Sequence, residues 1–149
     1  MMQSNFELQS FLPYLLNQAA EVSSLTFQQV YKNRYGMLRT EWRVLFHLGL
    51  YGQMSASEIG LRAKTHKTKI SRAVQRLTER RFIERALDCS DRRVTRLTLT
   101  KQGRAAYDDL RSVAENYEST LLKQLDPEEA MTLRRALVKL GGGTPRDFT

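Results

Sequence analysis

Between Ile70 and Leu99 the apolar residues change their period within a few positions, and few folds accommodate such a change. Ile70, Ala73, Val74 and Leu77 recur at i, i+3, i+4 and i+7, the buried stripe of a helix. Immediately afterwards Ile83-Glu84-Arg85-Ala86 and Thr95-Arg96-Leu97-Thr98-Leu99 read as two strands around a turn at Asp88-Cys89-Ser90-Asp91, with Arg92 and Arg93 near the tip. The charge is concentrated in the same span: from Arg62 to Arg104 there are fourteen Lys and Arg against four acids, a local excess of ten in a chain whose net charge is +8. Clustered cations on an otherwise near-neutral chain are the electrostatic footprint of a phosphate-backbone partner. On the helical wheel, Thr68, Arg72, Gln75 and Glu79 lie opposite the stripe, with Lys69 and Arg76 on one shoulder and Ser71 on the other. A solvated charged face would look similar by charge alone, but a face this rich in bidentate donors suits a major groove.

At 149 residues and 41% hydrophobic content, the chain is expected to form one domain with a real core and no room for a second, catalytic one. No run approaches 18 apolar residues, and the start MMQSNFELQS has neither the basic opening nor the apolar centre of a secretory signal, so no membrane partner and a cytoplasmic location are expected. A single cysteine, Cys89, with only His47 and His66 beside it, offers neither a disulfide framework nor a metal-ligand spacing. Arg92 and Arg93 favour a thiolate at Cys89, but Asp88 and Asp91 oppose it. No nucleophile, base and carboxylate converge, so no catalytic residues, metal or cofactor are assigned and an enzyme is not expected.

The remaining elements follow from caps and stripes. Pro13 suits the first turn of a helix running to about Tyr31, whose stripe of Leu16, Ala20 and Phe27 is long for a small core and implies a partner helix. Thr40 is the expected cap of a second helix, with Glu41 favoured by its dipole, Trp42, Leu45, Phe46 and Leu48 or Gly49 on its buried side, and Gly52 at its end. Ser55-Ala56-Ser57-Glu58 reads as a capping box that starts a short third helix with Ile59 and Ala63 inward. Thr65 or His66 opens the basic helix. Thr100 caps a long helix bearing Ala106, Leu110, Val113, Tyr117 and Leu121, and Asp126-Pro127-Glu128-Glu129 opens a last one that stops at Gly141-Gly142-Gly143.

This order predicts a mainly α chain with a small β wing: a winged helix-turn-helix plus N- and C-terminal dimerisation helices. The residues also resemble the MarR family of bacterial transcription regulators, through Thr40-Glu41-Trp42-Arg43-Val44-Leu45, Lys69-Ile70-Ser71-Arg72-Ala73-Val74, Ser90-Asp91-Arg92-Arg93 and Leu97-Thr98-Leu99-Thr100-Lys101-Gln102-Gly103. The resemblance covers most of the chain. It implies a single domain over 1–149, with a DNA-binding lobe at about 40–103 and dimerisation helices at about 10–33 and 104–141. It also implies a homodimer whose recognition helices lie about one DNA turn apart on a pseudo-palindrome. The function expected is a sequence-specific regulator of double-stranded DNA, a repressor released by a small effector. An architectural DNA-binding protein without effector is the alternative.

Carried over by position, Lys67, Thr68, Lys69 and Arg72 match the family's major-groove contacts, Arg93 matches the wing residue that enters the minor groove, and Asp91 would orient it. Arg76 and Arg92 are expected on phosphates. Trp42 and Phe46 match positions lining the family's cleft for small aromatic or phenolic acids, although an aromatic pair four apart is equally ordinary core. Arg72 could reach the floor of that cleft, and Tyr14, Asn17 and Gln18 are the polar candidates on the first helix, which has no Lys or Arg before Lys32. A neutral, bulky or thioester ligand is equally allowed. Where this chain has Lys64 and Arg81, family members usually have glycine, so altered turn geometry or strain of about 1 kcal/mol is expected at each position.

Overall fold

The computed structural model describes residues 5–88, 90–91 and 93–143. Cys89 and Arg92 lie outside them. After a short 3-10 turn, Leu8–Ser10, the chain forms α1 (Leu12–Tyr35), α2 (Arg39–Tyr51), α3 (Ala56–Ala63), α4 (Lys67–Glu79), β1 (Ile83–Leu87), β2 (Thr95–Leu99), α5 (Lys101–Leu122) and α6 (Pro127–Leu140). It divides into two compact units, residues 1–112 and 113–149.

The first unit is built around α4. Ile70, Ala73, Val74 and Leu77 are all buried, as are Val44, Leu45 and Leu48 of α2, Ile59 of α3, Phe82, Ile83 and Leu97. Removing each large aliphatic side chain from water stabilises the fold by about 1.5–3 kcal/mol, so this face fixes the rotation of α4 about its axis. The strands pair antiparallel with Ile83 opposite Leu99 and Leu87 opposite Thr95. Met54 adds a bridge on the other side of β2, its N–H donating to the Leu97 carbonyl at 3.3 Å and its carbonyl accepting from the Leu97 N–H at 2.8 Å. β1 extends one residue beyond the expected Ala86, and the tip is longer than a four-residue turn: the Asp88 N–H donates to the Val94 carbonyl at 2.9 Å and the Val94 N–H to the Asp91 carbonyl at 3.0 Å.

Most expected caps are present. Ser55 Oγ accepts from the Glu58 N–H at 3.2 Å, and Thr100 Oγ1 from the Gly103 N–H at 3.0 Å. Asp126 and Glu129 exchange reciprocal bonds of 2.8 and 3.1 Å at the start of α6 in the second unit. Of the two openings considered for α4, His66 is the one used, its Nδ1 accepting from the Thr68 N–H at 3.2 Å. Two expectations change. Only half of the Ser55 box carries its expected role, because the Glu58 carboxylate accepts from Arg96. Thr40 does not cap α2: the helix begins earlier, with Leu38 at the cap and its N–H donating to Glu41 Oε2 at 2.9 Å. The cause is Glu41, which shares the stripe of Val44, Leu45 and Leu48, is 1% exposed, and satisfies one oxygen of its buried carboxylate with the Leu38 N–H. α1 runs one turn beyond Tyr31, to Tyr35, where Gly36 turns the chain at φ 62°.

Two glycines are required by close approach. A Cβ on Gly103 would lie 1.9 Å from the Phe82 carbonyl oxygen, and one on Gly49 would lie 2.4 Å from the Tyr107 ring. The two glycines missing relative to the family pattern leave their mark in the backbone, since Lys64 and Arg81 stand in the left-handed region at φ 50° and 63°. Lys64 sits one residue past the end of α3 and Arg81 two residues past the end of α4. Thr65 N–H returns to the Gly60 carbonyl at 3.1 Å, while the Arg81 and Phe82 N–H groups return to Thr78 and Leu77 at 3.0 and 2.9 Å. The pattern is a glycine-type helix stop made by L-residues. Lys64→Gly and Arg81→Gly are each expected to raise stability by about 1 kcal/mol, read by urea unfolding. No gain at either position would mean that those turns carry no strain.

Candidate nucleic-acid interface

The buried stripe turns the opposite side of α4 outward, so Lys67, Thr68, Lys69, Arg72 and Gln75 are exposed on one continuous surface. Lys64 and Arg81, at the left-handed turns on either side of the helix, are exposed too. Among the described residues the side chains of Lys64, Lys67, Lys69, Arg72 and Arg81 have no intramolecular partner. Glu79 accepts from Gln75 Nε2 at 3.1 Å, which ties down the amide at the far end of the face.

Other cations of the basic run are committed elsewhere. Arg62 lies over the Tyr51 ring at 4.4 Å, and Arg80 donates to the carbonyls of Gly36, at 3.1 Å, and Tyr35, closing the C-terminus of α1. Arg104 donates to the Gly49 carbonyl at 3.3 Å. Arg76 is the notable case. Its Nε meets Glu41 Oε1 at 3.2 Å, with the arginine side chain half exposed and the carboxylate buried. Arg76 is therefore a structural tie from α4 to the first turn of α2 as well as a surface cation, which the phosphate assignment alone did not anticipate. The sequence did carry a signal, since Glu41 falls at i, i+3, i+4 and i+7 with Val44, Leu45 and Leu48.

On the wing, Asp91 Oδ1 accepts from both the backbone N–H and Nε of Arg93, at 3.0 and 3.3 Å. Arg93 thus projects from a braced backbone with its side chain 91% exposed. Near the tip end of the ribbon Arg96 donates to Asp88 and Glu58. Bonds from Ser90, and then Arg96, hold the Asp88 carboxyl well below the usual carboxylate range.

The residues proposed for a ligand fall into separate places. Trp42 and Phe46 are half-buried and stack edge-on at 5.1 Å in a cluster with Phe27 (5.4 Å from Trp42) and Tyr107 (5.2 Å from Phe46). The Tyr107 hydroxyl is buried and has no hydrogen-bond partner among the described residues. Burial raises the pKa of the neighbouring Tyr31 phenol. Tyr14 and Gln18 bond each other at 2.8 Å, and Asn17 is exposed. At a rise of 1.5 Å per residue these three stand roughly 13–20 Å along α1 from Phe27. Arg72 does not floor the aromatic cluster; it lines a cavity of about 420 Å³ with Leu38, Arg39, Glu41, Lys69 and Arg76, because the stripe that buries α4 points its arginine face away.

Residues 35–94 match the family model described as MarR family. Among curated proteins, the HTH-type transcriptional regulator BilQ of Clostridium symbiosum is 28% identical over 97 residues, 65% of this chain and 67% of BilQ. Among solved structures, the MarR/EmrR family transcriptional regulator from Acinetobacter sp. ADP1 superposes with a TM-score of 0.82 at 26% identity, covering 92% of this chain and 96% of that one. Bordetella bronchiseptica BpsR, whose DNA binding is regulated by 6-hydroxynicotinic acid, shares the fold with a TM-score of 0.84 at 22% identity, covering 93% and 98%. Among the described residues no helix is long and apolar enough to cross a membrane. The family model is matched from the end of α1 through the wing loop and a regulator of that family superposes along most of the chain's length, so the chain is similar to the winged-helix, DNA-binding transcriptional regulators of the MarR family.

Proposed function

We propose that the chain acts in the cytoplasm as a homodimer that binds a pseudo-palindromic operator, represses the genes beside it and is released by a small ligand. The observation that carries the reading is the pairing of two exposed elements: the unpartnered Lys67, Lys69 and Arg72 of α4, with Thr68 among them, and an Arg93 braced by Asp91 on the wing. The first set suits base edges in a major groove, the second a narrow minor groove. The dimer is supported by apolar side chains left in water on α1 (Leu12, Leu15, Val22, Leu25) and, separately, on α6 (Met131, Leu133, Leu137, Leu140). A small aromatic effector is supported by the aromatic cluster with its unpartnered Tyr107 hydroxyl, and by the regulation of BpsR by 6-hydroxynicotinic acid.

Selection of bound fragments from the source genome, followed by competition with random duplex, tests the reading; binding that random DNA abolishes would leave only an architectural protein. Sedimentation at micromolar concentration is expected to give twice 17.3 kDa. A monomer that binds the palindrome equally tightly would contradict the dimer.

Substitutions should separate three roles. Arg72→Ala is expected to cost about 1–3 kcal/mol of binding and relax the preference at one operator position. Arg93→Ala should weaken binding most where the flanking minor groove is A·T-rich. Arg76→Ala should lower affinity on all duplexes alike and the salt slope by about 1, and it should also cost about 1–3 kcal/mol of folding stability, because Glu41 keeps its burial and loses its cation. Equal losses from all three on specific and random DNA, with no change in unfolding, would overturn the assignment.

A further inference from the structure

The outer half of the wing has little apolar packing to hold it. Glu84, Arg85, Ala86, Leu87 and Thr95 are exposed, and a cavity of about 210 Å³ lined by Ala56, Ser71, Val74, Arg85, Thr95 and Leu97 opens between the ribbon and the α3–α4 pair. Among the described residues the Met54 bridge fastens the backbone of β2 at Leu97. A two-stranded ribbon is marginal by itself, so its pose beyond that point needs another restraint.

The restraint present is polar and centred on one side chain. Arg96 Nε donates to Asp88 Oδ2 at 3.0 Å, and its Nη1 donates to Glu58 Oε1 and Oε2 at 3.2 and 3.5 Å. Asp88 Oδ1 in turn accepts from the Ser90 N–H at 2.8 Å and hydroxyl at 2.7 Å. One planar guanidinium therefore joins the first turn of α3, strand β2 and the loop that carries Asp91 and Arg93.

We infer that Arg96, bridging Glu58 of α3 and Asp88 of the wing loop, is a positioning residue that sets the pose of the wing against the recognition helix and so determines whether Arg93 and α4 engage one duplex together. Arg93 stands in the tip loop three residues from Arg96, a reach of at most about 10 Å. Over that lever a tilt of roughly 15° moves the tip by about 2–3 Å, enough to lose a hydrogen bond. Ion pairs this exposed contribute little to global stability, so the effect falls on geometry rather than on folding. The inference rests on the reading of Arg93 as the minor-groove residue.

The test uses the full-length protein, an operator selected from random-sequence duplexes, and the same operator with its A·T flanks replaced by G·C. In wild type the ratio of the two affinities measures the wing's contribution. Arg96→Gln, Arg96→Lys and Glu58→Gln are each expected to reduce that ratio several-fold toward the Arg93→Ala value, while discrimination against central mismatches stays unchanged. Lysine does not rescue because a point charge cannot fork to both carboxylates. Arg93→Ala should cost far less in the Arg96→Gln background than in wild type. In the free protein, Glu58→Gln should speed hydrogen exchange at the amides of Asp88, Ser90 and Val94 several-fold with the thermal midpoint nearly unchanged, a readout that holds whether or not Arg93 touches DNA. Unchanged exchange in both Glu58→Gln and Arg96→Gln overturns the inference. So does an Arg96→Gln variant that weakens every duplex equally with a lower salt slope while Glu58→Gln binds as wild type, since Arg96 would then be a phosphate contact.

Discussion

The burial of Ile70, Ala73, Val74 and Leu77 is the constraint from which the rest of the DNA-binding lobe follows. A helix of thirteen residues with four apolar side chains on one face has one rotation that removes them all from water, and any other exposes at least one of them at a cost of about 1.5–3 kcal/mol. That rotation leaves Lys67, Thr68, Lys69 and Arg72 in solvent without a hydrogen bond being needed to aim them. Electrostatics alone would scatter such a group of cations. Hydrophobic burial holds them on one surface, and their mutual repulsion is relieved when counterions or phosphates approach.

Not all the local positive charge is left for a partner. Arg62, Arg80, Arg96 and Arg104 come from the same basic run, yet each binds a ring, a carboxylate or a carbonyl of its own chain, and Arg76 divides its charge between Glu41 and solvent. The division follows from chemistry. An arginine can satisfy a helix end or a buried carboxylate through a planar fork and cover apolar surface with its stem, so the fasteners are all arginines, whereas the cations left free include the lysines, which are flexible point charges, together with Arg72 and Arg81. A count of charge therefore overstates the contacts available to DNA by about the number of arginines used as fasteners.

What the sequence shows plainly is whatever depends on local spacing: the stripe of α4, the Thr100, Asp126 and Ser55 caps, both strands, and the left-handed turns at Lys64 and Arg81 where a glycine pattern is broken. What it hides depends on two segments far apart in the chain. Thr40 looks like a good cap until Arg76 is seen beside the carboxylate of Glu41, thirty-five residues before it, which then belongs to the core and shifts the helix start to Arg39. Glu58 looks like the second half of a capping box until β2 brings Arg96 to it. The polar candidates on α1 share a helix with the aromatic cluster but lie several turns from it, so residues plausible one by one do not make one site within a single chain.

One junction connects the DNA-binding helix to the long helix that follows the wing. The Thr100 hydroxyl donates to the Arg81 carbonyl at 2.7 Å and accepts from the Gly103 N–H, so a single side chain caps α5 and holds the turn that ends α4. Gly103 presses its Cα against the Phe82 carbonyl, a contact that any side chain would push apart. Farther along, Asp109 of α5 accepts from the Tyr35 hydroxyl at 2.6 Å and from Arg34 at 3.0 Å. With burial, that bond pushes the Tyr35 phenol up to about 12, and it holds Asp109 in its charged form. Arg80, from the end of α4, donates to the Tyr35 and Gly36 carbonyls at the same end of α1. The first three turns of α5, the C-terminus of α4 and the C-terminus of α1 are thus bonded to one another in a closed triangle of short links. A shift of α5 has to break these links or carry α4 with it, and because α4 is held to the rest of the lobe by its apolar stripe, the shorter route is for the whole reading surface to move as one piece.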